Sequence, residues 1–486
     1  MSKKPNNSYR NILKGNTLFG GVQLFQILVG LLRGKFVAIF LGPEGMGIMS
    51  LFNSTAETLR KVSSLGVNLA IVKETGGAAD DPERLRHIVV AVRRIVAITA
   101  VIGLLATLSL SSVLGRFTFG NDSQYYGMLL LAPVVFLTVC WQGDMSVLQG
   151  LHRVKSISKA TIIGSLTGLL AGVPLYWLFG YRGIVPAMLV FAAVMAAVYS
   201  YSVRKTVGTR GVKFLWSEHG AIVKRLVALG LILMVSDCIN TGVLYLTNIY
   251  VRSAGTLDDV GFWQGANSLT NQYAGVIFTA LAMDYLPRLM GAVKERQQFR
   301  DIVDRQTEII SLLVAPLASL LILFAPLVVR VLLTEQYLEI VPLLRILAVA
   351  LALRAAMYPL GYITLAMDNK KVFFWMEAVW CNFQTLVMGV GGYWLFGLYG
   401  LGYGLAADCL LCLVLYIAVN RRLYGYFYSR RALRTVIVSL LLTSAAYASS
   451  LAPGDYVSYA LMTAVTLLSA AMAWRGVRFR LRKKDE

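Results

Sequence analysis

The stretch Tyr176-Trp177-Leu178-Phe179-Gly180, with Gly183 three residues later, recurs as Tyr393-Trp394-Leu395-Phe396-Gly397 with Gly400. Two more pairs of segments repeat at nearly the same separation: Gly47/Asn53/Ser54 with Gly261/Asn267/Ser268, and Arg86-His87-Ile88-Val89 with Arg300-Asp301-Ile302-Val303. Duplicated helical bundles with a substrate site between the halves are common among secondary transporters. The repeat therefore predicts a duplicated membrane bundle.

The composition supports a membrane environment. Of 486 residues, 57% are hydrophobic and only 15% are charged, and the mean hydropathy is +0.65. So little polar surface excludes an ordinary soluble protein of this length. Apolar windows of about 20 residues, the length that crosses the hydrocarbon core, occur about fourteen times. They lie at 12–41, 45–72, 87–114, 124–150, 157–179, 183–203, 221–251, 259–290, 304–333, 341–367, 372–396, 398–420, 434–451 and 456–474.

The net charge of +21 reflects membrane topology rather than nucleic-acid binding, because lysines and arginines concentrate in every second loop. By the positive-inside rule these loops and both termini are cytoplasmic. The predicted fold is an all-α polytopic membrane protein with two six-helix bundles, related by a parallel pseudo-twofold repeat, and two C-terminal helices. We expect bundles at 1–205 and 221–421, a cytoplasmic linker at 206–220, and the two extra helices with a basic tail at 422–486.

Polar residues inside the first helix mark one face. Gln26 and Arg33 lie on it, and Lys35 follows within the same apolar run. Charge inside a bilayer is costly, so such residues are candidates for a functional site. For Arg33 the pattern favours a cavity inside the bundle. Lys35 has two interpretations, the cavity or snorkelling to the outer interface, because Gly42-Pro43 ends the helix two turns later.

The second helix has Asn53, Glu57, Arg60 and Lys61 on one face. Glu57 can neutralise one of the two cations across a helical turn, but it cannot neutralise both. The surplus of positive charge predicts a site for an anion.

The second half has fewer cations and more amides in the matching helices. Asn267 and Asn271 can donate to and accept from sugar hydroxyl groups, and they can equally form hydrogen bonds between helices. Arg354 precedes Pro359 and Gly361, which predict a break in the tenth helix and a position for Arg354 at a hinge facing the cavity.

Acidic residues within the apolar spans are candidates for coupling transport to a cation. They are Glu57, Asp144, Asp237 and Asp408. Each could instead form a structural ion pair, and the choice between Na⁺ and H⁺ stays open. We predict no metal site and no bound cofactor. The HExxH, GxSxG and P-loop motifs do not occur, so the sequence points away from an enzyme and from ATP as the energy source.

Several short motifs of the N-terminal region resemble the multidrug/oligosaccharidyl-lipid/polysaccharide exporter superfamily, and within it the Wzx-type O-antigen flippases. They are Lys14-Gly15, Leu41-Gly42-Pro43-Glu44-Gly45-Met46-Gly47, Leu51-Phe52, Ser64-Leu65-Gly66 and Ile71-Val72-Lys73. The plan of twice six helices extends the resemblance over about residues 10–420. The two additional C-terminal helices depart from the twelve-helix members, although lipid II flippases with fourteen helices look similar.

The resemblance implies translocation of an undecaprenyl-pyrophosphate-linked oligosaccharide across the bacterial inner membrane by alternating access. Arginine binds phosphate oxygens bidentately, so Arg33, Lys35, Arg60, Lys61 and Arg354 suit this substrate. Membrane lipids, and glycan polymerase with other polysaccharide-assembly proteins, are the expected partners of a monomeric chain that binds no nucleic acid. Three alternatives remain: a lipid II flippase, a Na⁺- or H⁺-coupled multidrug antiporter, and a glycan polymerase or ligase. The last needs a large periplasmic loop, which the sequence does not provide.

Overall fold

The computed structural model describes residues 6–208 and 214–482, in which helices are joined by short turns and loops and no strand occurs. Residues 6–20, 218, 229, 232, 233, 236, 271–274, 276, 277, 279–284, 477 and 479–482 are described only as backbone. The chain forms two compact units, Met1–Ser253 and Ala254–Glu486.

The first unit contains nine helices within the described ranges. They are α1 (Asn6–Ser63), α2 (Val67–Gly76), α3 (Pro82–Ser109), α4 (Ser111–Phe119), α5 (Tyr125–Gly150), α6 (Val154–Leu170), α7 (Gly172–Phe179), α8 (Ile184–Thr206) and α9 (Trp216–Ala254). Helix α5 is central, since α2, α3 and α8 all pack against it. Buried Val92, Val135 and Val147 belong to this core.

Helix α1 has 58 residues and contains a kink at Gly42, whose φ of 64° and ψ of −168° are not helical. A straight helix of this length would measure about 87 Å, whereas the hydrocarbon core is about 30 Å thick. Pro43 follows the kink and supplies no backbone donor. Gly42-Pro43 therefore divides α1 into the first and second predicted spans.

The second unit contains α10 (Leu257–Gly291), α11 (Arg296–Leu332), α12 (Val341–Ala366), α13 (Lys370–Phe373), α14 (Asn382–Tyr424), α15 (Arg430–Ser449) and α16 (Asp455–Arg482). A π-helical segment, Phe374–Cys381, joins α13 to α14. Helix α12 is central here and packs against α10, α11, α14 and α15, while α16 packs on α11 and α15.

The repeated sequence motif forms the same turn in both units. Gly180 has φ 54° and ψ −133°, and Gly397 has φ 61° and ψ −144°, a region that only glycine enters freely. In each motif the last glycine packs on backbone across the turn. A Cβ at Gly183 would lie 2.2 Å from the Leu175 carbonyl oxygen, and one at Gly400 would lie 1.8 Å from that of Gly392. The motif therefore closes a helical hairpin in each unit.

Nine helical segments among the described residues are long and apolar enough to span a membrane. Three of them, Gly21–Ser63, Val154–Thr206 and Lys370–Tyr424, are interrupted by the non-helical glycines described above and contain two predicted spans each. Helices α9 and α10, with 39 and 35 residues, match the seventh and eighth predicted spans. The predicted fold class, an all-α polytopic membrane protein, is confirmed. The domain boundaries stay a prediction, including the assignment of α9 to the second six-helix repeat.

Candidate functional site

Two cavities in the first unit contain most of the residues predicted there. The first, which we call the α1 crevice, has a volume of about 490 Å³ and lies between α1, α5, α6 and α8. Its polar lining includes Gln23, Gln26, Arg33, Gln149 and His152. The second, which we call the charge pocket, has a volume of about 300 Å³ and is lined by residues of α1, α2, α5 and α9. Helix α5 contributes to both, so the cavities lie on adjacent faces of one helix.

Arg33 projects into the α1 crevice beside Gly168 of α6. A Cβ at Gly168 would lie 3.2 Å from Arg33 Nη1, so the missing side chain makes room for the guanidinium. Arg33 is exposed and takes part in none of the ion pairs found among the described residues. Gln26 is also exposed and lies two turns away on the same face. This face therefore offers a cation and amides to a ligand.

Arg60 is buried in the charge pocket, with 4% of its surface exposed. Its Nε donates to Glu57 Oε2 over 2.8 Å, and its Nη2 also contacts the Glu57 carboxylate. The remaining amine, Nη1, donates to Gln142 Oε1 on α5. A buried guanidinium needs such partners to offset its lost hydration. Glu57 therefore neutralises Arg60, which is one of the two cations that the sequence offered as its partner.

Lys61 points to α9 and forms an ion pair with Asp237, with 2.8 Å between Nζ and Oδ2. Asp237 is more than half exposed, at 57%, and Lys61 is 21% exposed. Both cations of the second span are thus held by carboxylates in this conformation. An anionic ligand would have to exchange with Glu57 or Asp237 to bind them.

Contact between two glycines brings the Lys61 and Asp237 helices together. Gly66, at the break between α1 and α2, has φ 63°. A Cβ there would lie 2.2 Å from the carbonyl oxygen of Gly230 on α9, and one at Gly230 would lie 2.4 Å from that of Leu65. Two backbones can approach this closely only where both side chains are missing. The Ser64-Leu65-Gly66 motif therefore positions the charge pocket.

We expect Gly66→Ala to destabilise the protein by about 3 kcal/mol, because the methyl group meets backbone and the left-handed conformation disfavours alanine. Thermal unfolding of the purified protein in detergent measures the effect. Gly34→Ala is the matched control, since a Cβ at Gly34 meets nothing within 4 Å and helical glycine tolerates alanine. Equal unfolding temperatures for the two variants would contradict the role of the glycine contact.

The other predicted residues of the first unit do not line the charge pocket. Asn53 is exposed and Lys35 is half-buried. Asp144 is 12% exposed and pairs with Arg93 of α3, with 3.4 Å between Oδ1 and Nε. Arg93 also donates to the Ser200 carbonyl of α8 over 3.3 Å. The geometry of Asp144 is that of a structural ion pair linking three helices, and its role in coupling stays a prediction.

In the second unit Arg354 is exposed, and its guanidinium lies 5.7 Å from the centre of the Phe278 ring. Asn267 is half-buried and has a bonding partner. The side chain of Asn271 lies outside the described residues. Asp408 is buried and accepts hydrogen bonds from Gln384 Nε2 over 3.0 Å and Thr385 Oγ1 over 2.8 Å. The contacts described for Arg354 and for Asp408 therefore involve different partner residues.

The break predicted in the tenth span is wrong. Helix α12 continues past Pro359 to Ala366. Side chains from neighbouring elements donate to the carbonyls around the proline: Tyr428 to Ala356, Tyr285 to Pro359 and Asn420 to Leu360. Because these donors satisfy backbone groups around a proline, the helix passes through it without a hinge. Arg354 is therefore not at a break.

The prediction missed Gln142 and Arg93, which hold Arg60 and Asp144. Gln142, Ser146 and Gln149 lie at helical spacing on α5, and this polar stripe was the available signal for Gln142. Arg93 lies near the predicted cytoplasmic end of an apolar span, where arginine is common and gives no signal of a special role. Among the described residues no cluster of His, Cys, Asp or Glu is arranged to hold a metal ion.

Comparison with known proteins gives similarity over most of the chain. The family model described as polysaccharide biosynthesis protein matches residues 36–342. The lipid III flippase of Escherichia coli (strain K12) is 22% identical over 384 residues, which cover 78% of this chain and 89% of that protein. The protein of the same name from Shigella flexneri gives the same values. These relatives are named as flippases.

Solved structures share the fold. The lipid II flippase MurJ in its inward closed conformation superimposes with a TM-score of 0.73 at 13% identity, covering 95% of this chain and 99% of that one. An inward-facing multidrug resistance MATE family transporter of the MOP superfamily gives a TM-score of 0.67 at 19% identity, covering 86% and 98%. At these identities the likeness concerns the fold alone.

Proposed function

Because the chain belongs to the polysaccharide biosynthesis protein family, we propose that it is a flippase for undecaprenyl-pyrophosphate-linked oligosaccharide. It moves an O-antigen or related glycan unit from the cytoplasmic to the periplasmic leaflet by alternating access. The named activity of the lipid III flippases, which match over 384 residues, supports this class of substrate. The chain acts as a transporter and not as an enzyme.

The observation that carries the proposal is an arginine in a polar crevice that has no carboxylate partner in the part of the chain that the structure describes. Arg33 has no ion pair among the described residues, and it lines the α1 crevice with Gln23 and Gln26. A guanidinium forms paired, charge-assisted hydrogen bonds with phosphate oxygens. Amides serve the sugar hydroxyl groups, as donors and as acceptors. A cationic drug would instead need an acidic lining.

Arg60 and Lys61 in the charge pocket provide further positive charge when they release their carboxylate partners, Glu57 and Asp237. When a pyrophosphate replaces Glu57 at Arg60 or Asp237 at Lys61, a carboxylate is released for protonation or cation binding. Asp237 and Glu57 are suited to this exchange, because they are 57% and 44% exposed while Arg60 is buried. Their role as coupling residues rests on this exchange. Lys35, Asn53, Arg354, Asn267 and Asn271 remain proposed substrate contacts, and Asp144 and Asp408 remain proposed coupling sites.

The membrane potential can drive the export. A charge that crosses the whole field gains about 2.3 kcal/mol per 100 mV, so two negative charges at ~150 mV, negative inside, gain roughly 7 kcal/mol on moving outward. This amount drives the outward step of the substrate, so that step needs no coupling ion. We therefore propose potential-driven export, in which Na⁺ or H⁺ binding at the released carboxylates resets the protein.

We place the protein in the bacterial inner membrane with both termini in the cytoplasm, following its basic loops. It acts as a monomer, surrounded by membrane lipids, and supplies glycan units to a polymerase and other polysaccharide-assembly proteins. It binds no nucleic acid. Lipid II is the alternative substrate, because it has the same pyrophosphate carrier. A cation-coupled multidrug antiporter is the second alternative.

Proteoliposomes of the purified full-length chain test the proposal. A fluorescently labelled, pyrophosphate-linked oligosaccharide is placed in the bilayer, and a membrane-impermeant quencher reports its leaflet. We expect the chain to accelerate movement between leaflets, and a potential of the stated sign to bias it. Labelled lipid II and ethidium are the comparison substrates. Faster movement of lipid II would assign the first alternative, and ethidium transport without glycan movement would assign the second.

A further inference from the structure

The second unit contains a basic cavity that the proposed transport does not use. Its volume is about 530 Å³, and it lies where α10, α12 and α14 end and α11 begins. The lining consists of Val293, Lys294, Arg296, Phe299, Arg300, Met367, Leu423, Tyr424, Gly425 and Tyr426. By the positive-inside rule this level of the protein is the cytoplasmic membrane boundary.

Three cations surround the cavity. Lys294 and Arg296 are exposed, and Arg300 donates from Nη2 to the Gly425 carbonyl oxygen over 3.2 Å. None of the three forms an ion pair with a described residue. Arg296 lies so close to Gly425 that a Cβ there would be 2.6 Å from its Nη2. The two arginines are thus packed around the Gly425 turn at the cavity wall.

The acidic residues near the cavity have other partners. Asp304 accepts hydrogen bonds from the Tyr426 hydroxyl over 2.8 Å and from the Ser429 amide over 3.2 Å. Asp301 accepts from Gln297 over 3.1 Å, and Asp368 pairs with Lys370 at 3.6 Å. Exposed Glu295, at the start of α11, adds a further negative charge near the cavity. None of these acids belongs to the described lining, whereas Lys294, Arg296 and Arg300 do, so the lining itself is positively charged.

The apolar part of the lining indicates where a ligand comes from. Phe299, Met367 and Leu423 form it together with the two tyrosines. A soluble phosphate needs only cations and backbone amides, whereas a lipid headgroup also brings glycerol and the start of acyl chains to the membrane boundary. Basic cavities between helix ends on the cytoplasmic side bind anionic lipid headgroups in other membrane proteins.

We propose that this cavity binds the phosphate of an anionic phospholipid of the cytoplasmic leaflet. Arg296 and Arg300 donate hydrogen bonds to the phosphate oxygens, and Lys294 supplies the third positive charge. Phe299 and Met367 contact the glycerol and the upper acyl chain. The site is independent of the flippase proposal, because it lies in the second unit and is detected by lipid binding alone.

Native mass spectrometry of the full-length protein with phosphatidylglycerol or phosphatidylcholine tests the site. We expect wild type to retain phosphatidylglycerol in preference to phosphatidylcholine, and Lys294→Gln/Arg296→Gln/Arg300→Gln to bind phosphatidylglycerol roughly a hundredfold more weakly. Arg296→Gln alone should give part of the loss, and it serves if the triple variant fails to fold. Arg296→Lys/Arg300→Lys keeps the charge and should bind more tightly than the glutamine variants.

The matched control removes the same charge from another predicted cytoplasmic surface. Lys73, Arg84 and Arg86 are exposed and line none of the cavities described above. We expect Lys73→Gln/Arg84→Gln/Arg86→Gln to leave the affinity of the tightest phosphatidylglycerol unchanged. Equal loss in both triple variants, or no preference over phosphatidylcholine, would overturn the proposal. Displacement of the lipid by millimolar inorganic phosphate would assign the cavity to a soluble phosphate instead.

Discussion

Replacing Arg33 by alanine is expected to abolish export of the lipid-linked glycan while the protein stays in the membrane at its normal level. Arg33 is exposed in the α1 crevice and forms no ion pair among the described residues, so its loss leaves no buried carboxylate behind. A charge-assisted hydrogen bond contributes about 1.5–3 kcal/mol. Losing a bidentate contact therefore lowers the transport rate about hundredfold in the proteoliposome assay.

Arg33→Lys separates charge from geometry. Lysine keeps the positive charge but cannot form the paired hydrogen bonds of a guanidinium, so we expect intermediate transport. Gln23→Ala, in the same crevice, should cost much less, because it removes a neutral contact. Wild-type export by Arg33→Ala would rule out the α1 crevice as the pyrophosphate site.

Replacing Arg60 by alanine is expected to cause the second large loss of export. Lower stability and a lost ligand contact can both contribute to this loss, so the two causes must be separated. Arg60→Ala leaves Glu57 without its cation and Gln142 without its donor, and because Glu57 is 44% exposed we expect a destabilisation of about 1–3 kcal/mol. Loss of export in this variant therefore has a structural cause and a functional one. The unfolding temperature and the transport rate must be measured on the same preparation.

The paired variant Glu57→Gln/Arg60→Gln resolves the two causes. It removes both charges, so no unpaired buried charge remains, and replacing both partners is often nearly neutral for stability. We expect a folded protein with export reduced at least about tenfold, because the cation that exchanges partners with pyrophosphate is missing. Full export by a stable double variant would mean that Glu57 and Arg60 serve only to hold α1 against α5.

The sequence predicted the fold better than the pairing of charges. Apolar length and alternating basic loops predicted the spans, because both signals are properties of single segments. The spacing of Glu57 predicted an ion pair with either Arg60 or Lys61, since residues three or four apart meet on one helix, and the structure has the pair with Arg60. The ion pair between Lys61 and Asp237 was not predicted. Asp237 is far along the chain, and its approach depends on the Gly66–Gly230 contact, which no local pattern reveals.

The wrong expectation at Pro359 has the same origin. Proline predicts a break because it removes a donor and crowds the preceding turn. In α12 the donors arrive from Tyr285, Asn420 and Tyr428, on three other segments. Their chemistry was visible in the sequence, but their positions were not. Hydrogen bonds from residues distant in sequence are thus the part of a membrane fold that local sequence patterns predict least well.

The glycine turn shared by the two units also bears on the order in which the chain assembles. Gly392 packs on Gly400, and Gly404 packs on Met388, through backbone atoms only. These contacts join residues close together along the chain, so their loop-closure cost is small and they form early. Each hairpin can close as soon as its two helices have left the ribosome and entered the bilayer. The repeated turn therefore gives each unit a hairpin that can form without the rest of the chain.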